Sequence, residues 1–106
     1  MNRLSSLFLT IAALLAALAA DAQHVDVAPR RIEVGFNKTV HILFPSPVTY
    51  IDIGSMDIIA GKADGAENVV RVKAAVRNFT AETNLTVITE DGGFFTFDVH
   101  YAENPA

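Results

Sequence analysis

From about residue 32 the chain alternates. Ile32, Val34 and Phe36 fall on one side of an extended backbone, with Glu33 and Gly35 on the other. A period of two is the mark of a strand with one buried face. Val40, Ile42 and Phe44 resume the pattern after Asn37-Lys38. Two alternating runs joined by a short Asn-containing break predict a hairpin, because Asn tolerates the positive φ that tight hairpin turns need. Pro45-Ser46-Pro47 stops the second run, since proline cannot donate to a ladder. Val48–Ile53 is rich in β-branched and aromatic residues and predicts a third strand, closed by Gly54-Ser55. Met56–Ala60 predicts a fourth, apolar on both faces and ended by Gly61, and Asp64-Gly65 marks the next turn.

Residues 68–77 fit two periods. Val70, Val72, Ala74 and Val76 alternate with Arg71, Lys73 and Arg77 as in a strand, while Val69, Val72, Val76 and Phe79 also have helical spacing. Valines are stiff at χ1 and suit a pleated surface, which favours strand through about Ala74; whether residues 75–82 are helical stays open. The final pair is plainer. Leu85, Val87 and Thr89 alternate with Thr86, Ile88 and Glu90, then Asp91-Gly92-Gly93 turns the chain. Phe95, Phe97, Val99 and Tyr101 share one face of the last strand, Thr96, Asp98 and His100 the other, and Phe94 is out of phase. This predicts a hairpin. Regularly spaced short strands with turn signals between them predict an all-β domain. We read residues 32–102 as a small antiparallel β-sandwich of immunoglobulin-like type, with about seven strands. Residues 23–31, with Pro29, form an extended arm before it, and residues 103–106 form a tail or the start of a second domain.

The chain ahead of the alternation has a different character. A basic start at Asn2-Arg3 precedes an apolar run from Leu7 to Ala20, and Ala20-Asp21-Ala22 supplies a small-x-small cleavage pattern. The run falls short of the roughly 20 apolar residues of a spanning helix. Residues 1–22 therefore read as a signal peptide with Gln23 as the first mature residue. Removing them from 106 leaves 84 residues, enough for one domain with a thin core and too few for a doubly wound nucleotide-binding fold. The expected product is exported, and is soluble or held at a membrane by something else. Without cysteine, the chain cannot be a lipoprotein and its core has no disulfide to reinforce it. Lys and Arg number 8 against 12 Asp and Glu, the reverse of the basic excess that marks a nucleic-acid surface. No direct binding to nucleic acid is expected.

Motifs that carry chemistry are absent from the sequence. Gly54–Lys62 has a glycine spacing too long for a phosphate-binding loop, and Ala63 stands where such a loop needs Ser or Thr. His24, His41 and His100 are too far apart for local zinc spacing; His41 and His100 both fall on outward strand faces. No Ser sits in a Gly-x-Ser-x-Gly elbow. The acids are scattered through turns and outer positions. Nothing in the sequence nominates a catalytic residue, a metal-ligand set or a cofactor site. Asn37, Asn78 and Asn84 head Asn-x-Thr triplets, potential glycan acceptors in a eukaryotic secreted protein and otherwise ordinary strand composition. Arg71, Lys73 and Arg77 form a basic stripe. Together with Ile58, Ile59 and Phe94 they are the candidate partner surface, because a strand apolar on both faces needs cover on both.

Several blocks then read together: Asn37–Pro45, Tyr50–Ser55, Ile58–Ala63, Glu67–Ala75 and Thr83–Gly92. In this order they resemble the N-terminal half of the TraN proteins of conjugative transposons. More distantly they are similar to the TrbG/CagX family of type IV secretion components. The resemblance covers nearly all of the mature chain. It implies a β-sandwich that acts as a structural subunit of a DNA-transfer apparatus in the cell envelope, without catalysis or cofactor. Its partners would be other subunits of that apparatus, in a homo- or hetero-oligomer that holds the domain at the outer membrane. Members of that family generally carry a further C-terminal domain. The alternative is a free secreted β-sandwich that binds carbohydrate or a small molecule. That function calls for exposed aromatic side chains on one face, whereas Phe95, Phe97 and Tyr101 are assigned to the core.

Overall fold

The computed structural model describes residues 28–105. Within them the chain forms β1 (Arg30–Val34), β2 (Val40–Leu43), β3 (Val48–Ile53), β4 (Ile58–Ala63), β5 (Ala66–Ala74), β6 (Thr83–Thr89) and β7 (Phe94–Tyr101). The strands make two sheets, ordered β1-β7-β6-β3 and β2-β5-β4. Every pairing is antiparallel except β1 with β7, which is parallel. This is the immunoglobulin-like sandwich, with β2, β5 and β4 as one sheet and β3, β6 and β7 as the core of the other. The first strand joins the second of these, beside the last strand.

Alternation places one face of each sheet inward. Val34, Val48, Leu85, Val87, Phe97 and Val99 from the four-stranded sheet meet Ile58, Val70, Val72 and Ala74 from the three-stranded one. Phe44, just past β2, spans the interface with its ring edge-on to Phe95 at 5.0 Å and to Phe97 at 6.2 Å. Its backbone is held by Asn68: the Phe44 N–H donates to the Asn68 carbonyl at 2.8 Å, and the Asn68 side-chain amide donates back at 3.1 Å. The β6–β7 hairpin forms as the pattern predicts, with Gly92 at φ 85°, a conformation that glycine adopts without a Cβ penalty. Strand β5 runs through Ala74 as expected. Residues 75–82 form no helix; they bend into β6 through Asn78 at φ 56°.

Three expectations are corrected. The first is the β1–β2 hairpin: these strands lie in opposite sheets. Alternation states which side of a strand faces the core, and in a sandwich that is true from either sheet. The two-residue break has no hairpin geometry, because Asn78 alone among the described non-glycine residues has a positive φ. The chain instead crosses over the end of β5, where the Gly35 carbonyl accepts from the Ala74 N–H at 2.9 Å. The second is the fourth strand, which spans Ile58–Ala63 instead of Met56–Ala60 and runs straight through Gly61. Met56 and Asp57 belong to the preceding turn, leaving Met56 87% exposed. The third concerns the arm. Arg30 and Arg31 are already paired with Phe97 and Asp98, so the first strand starts two residues before the alternation shows it. The signal peptide expected over residues 1–22, its expected cleavage positions Ala20, Ala22 and Gln23, and His24 lie outside the described residues.

Candidate functional site

The outer face of the three-stranded sheet is built by the positions that alternate with the core. These are His41 and Leu43 on β2, Glu67, Val69, Arg71 and Lys73 on β5, and Ile59 and Gly61 on β4. Register sets them in rows: Arg71 lies between His41 and Gly61, and Ile59 is opposite Lys73. Gly61 puts no side chain on this face. It floors a shallow depression of about 170 Å³, walled by Thr39, Ile59, Lys62, Arg71 and Lys73. Arg71 and Lys73 have no acidic side chain within 4.0 Å among the described residues, whereas Lys62 pairs with Glu67 at 2.9 Å. At the rim, the Lys73 ammonium lies 5.2 Å and the Arg77 guanidinium 4.3 Å from the centre of the Phe36 ring. Both distances allow cation–π attraction. Arg77 also donates to the Asn37 side-chain oxygen at 3.4 Å. The basic stripe expected from sequence is thus one surface, anchored on Phe36 and interleaved with the exposed Ile59.

The outer face of the four-stranded sheet is chemically different. Tyr50, Ile88 and Phe94 stand in one row across β3, β6 and β7, with Tyr50 and Phe94 half exposed. The next rows are Asp52, Thr86 and Thr96, then Asn84, Asp98 and Arg31, then Glu33 beside His100. The His100 imidazole Nε2 meets the Glu82 carboxylate at 2.7 Å, and Arg31 lies 3.9 Å from Glu33. Four carboxylates, those of Glu33, Asp52, Glu82 and Asp98, thus share this face with one guanidinium. The turn at its end is pinned by Asp91, whose carboxylate accepts from the Thr89 hydroxyl at 2.6 Å and from the Gly93 N–H at 3.2 Å. The Thr89 hydroxyl, then Ser46 and the Gly93 amide, hold the Asp91 carboxyl below its usual value of 3.8, because hydrogen bonds to the charged form favour it.

Five of the six residues named as a partner surface are placed outside the core: Ile59, Arg71, Lys73 and Arg77 together, and Phe94 on the opposite sheet. The sixth is a correction. Ile58 is 1% exposed and sits in the core, since the pairing of β4 with β5 sets Ile58 opposite the buried Ala74 and Ile59 opposite Lys73. His41 and His100 lie in different sheets and form no pair. The segment Gly54–Lys62 contains a turn and most of β4, not a loop that could cradle phosphate. Sequence reasoning missed Leu43 and Tyr50, which are 73% and 50% exposed. The signal for Leu43 was its alternation with Ile42 and Phe44; for Tyr50 it was hidden by the register shift between Val48 and Tyr50. Among the described residues no group of three or more His, Cys, Asp or Glu side chains has metal-binding geometry.

A family model described as a domain of unknown function (DUF8473) matches residues 32–105, which takes in every strand apart from the first two residues of β1. The chain belongs to the DUF8473 family. No curated protein matches it. The matched residues run through all seven strands of the sandwich.

Proposed function

We propose that this DUF8473 domain is a non-catalytic structural subunit of a conjugative DNA-transfer apparatus in the cell envelope. It is exported by residues 1–22 and works in the periplasm or at the outer membrane, held there by neighbouring subunits and needing no cofactor. The blocks from Asn37–Pro45 to Thr83–Gly92 that resemble TraN proteins support this reading, and they fall within the family match. The observation that carries it is the exposure of large apolar side chains on both outer faces: Leu43 and Ile59 on one, Tyr50 and Phe94 on the other. A strand face that keeps such residues beside unpaired charge is suited to docking. The domain's place is then between other proteins, without direct contact to the transferred DNA.

The test is genetic. Deleting the reading frame from donor cells should reduce DNA transfer to background, and the wild-type gene should restore it. A gene carrying Ile59→Asp, with its product exported at the wild-type level, should not. Transfer that is unchanged by the deletion would contradict the proposal.

A further inference from the structure

We infer that each outer face docks on the opposite outer face of a second copy of this chain, so that domains stack front to back. The argument begins with charge. The front, the three-stranded face, presents Arg71, Lys73 and Arg77, with Lys62 paired to Glu67 at its edge. The back, the four-stranded face, presents Glu33, Asp52, Glu82 and Asp98 against Arg31 alone. A two-fold contact of front on front would set Arg71 and Lys73 against their own copies, and back on back would set carboxylate against carboxylate. Like-charge juxtaposition disfavours both. Front on back pairs opposite signs.

Apolar side chains complete the match. Ile59 and Leu43 stand on the front and Tyr50 and Phe94 on the back, so each face offers an apolar group to the other. Over Gly61 an inserted ring can meet backbone directly, because Gly61 lacks a side chain and nothing lies within 4 Å of where a Cβ would stand. A contact between unlike surfaces of identical chains is heterologous: it closes into a ring or continues as a chain.

Size sets the strength. Three strands about 4.8 Å apart and about six residues long at about 3.3 Å each cover roughly 300 Å², well below the roughly 800 Å² per partner of a standard stable interface. The stack is therefore weak and salt-sensitive for a single pair and gains stability only through repetition. This deepens the scaffold reading by naming the partner, yet it does not depend on the apparatus being a conjugative one.

The test is sedimentation velocity of the exported protein at about 50 mM and about 500 mM salt, over concentrations up to a few hundred micromolar, since screening weakens exposed charge pairs. The wild type should associate at low salt and return to monomer at high salt. A front variant, Arg71→Glu with Lys73→Glu, and a back variant, Asp52→Lys with Asp98→Lys, should each be monomeric alone. Mixing the two should restore association, because each supplies the face that the other lacks. All four positions point away from the core, and a wild-type circular dichroism spectrum verifies the fold of each variant. A wild type that stays monomeric at low salt would overturn the inference, as would variants that associate alone or fail to associate when mixed. A monomer that instead retains a DNA duplex through Arg71 and Lys73 would overturn it in favour of a nucleic-acid partner. The two proposals fail separately: a strictly monomeric chain still required for DNA transfer removes stacking alone, and a stacking chain dispensable for transfer removes the apparatus alone.

Discussion

On their inner sides the two sheets are built alike. The three-stranded sheet contributes Ile58, Val70, Val72 and Ala74, and the four-stranded sheet Val34, Leu85, Val87 and Val99, all aliphatic and all at most 1% exposed. On their outer sides they differ in sign: Arg71, Lys73 and Arg77 on one, Glu33, Asp52, Glu82 and Asp98 on the other. Burial explains the likeness, because any strand in a sandwich must place apolar side chains toward the partner sheet. Nothing about burial requires the difference. Solvated faces would serve folding equally well with charges of both signs intermixed.

The comparison is broken most severely at adjacent positions of β4. Ile58→Asp places a carboxylate in the core without a partner, which costs several kcal/mol. A domain of this size has only about 4–12 kcal/mol of stability in all. Most of the domain's stability should be lost, as read by denaturation followed by circular dichroism, whereas Ile59→Asp should unfold within about 0.5 kcal/mol of wild type. Equal effects of the two substitutions would mean that the face assignment of β4 is wrong.

Two glycines sharpen the contrast between the sheets. A Cβ on Gly93 would collide with the Thr89 hydroxyl and the Phe95 ring. The hydroxyl cannot yield, because it is committed to Asp91 at 2.6 Å. Gly93→Ala should therefore destabilise the domain by about 1–3 kcal/mol, the range for overpacking. Gly61 on the basic face meets open space, and Gly61→Ala should leave the denaturation midpoint close to wild type while filling the depression beside Arg71.

These contrasts also show what is readable from one dimension. The β6–β7 hairpin was legible because its alternation and its Asp91-Gly92-Gly93 turn point to the same structure. The destination of β1 was not, since Ile32 and Val34 bury the same side chains whichever sheet they join. Ile58 and Ile59 could not be told apart because both are apolar, and only the pairing of β4 with β5, Ile58 opposite Ala74 and Ile59 opposite Lys73, says which of them is inward. Arg71, Lys73 and Arg77 were visible as a stripe because they follow one another along the chain. The acidic face was not, because Glu33, Asp52, Glu82 and Asp98 are distant in sequence and meet only through the register of β1, β3, β6 and β7.

Smaller effects follow from the turns and edges. The Asp91 carboxyl is held below 3.8 in the folded chain, so its hydrogen bonds stabilise the fold above that pH. That contribution is lost as pH falls from about 3.8 through the lower folded value. Thr89→Val removes the principal donor, and Asp91 should then titrate closer to 3.8 by carboxyl-detected NMR; an unchanged titration would assign the shift to other groups. The least effect belongs to the exposed Lys62–Glu67 pair on the basic sheet, where Lys62→Ala should cost no more than about 1 kcal/mol.

The account rests on two outer faces that recognise each other, and NMR shifts followed on dilution test this most directly. Backbone amides are recorded at low salt from several hundred micromolar to about ten. The expected result is concentration-dependent shifts on both faces at once, around Ile59, Arg71 and Lys73 on one sheet and around Tyr50, Asp52 and Phe94 on the other. Val70, Val87 and Val99 in the core should stay fixed. Shifts confined to a single face, or none at any concentration, would contradict it.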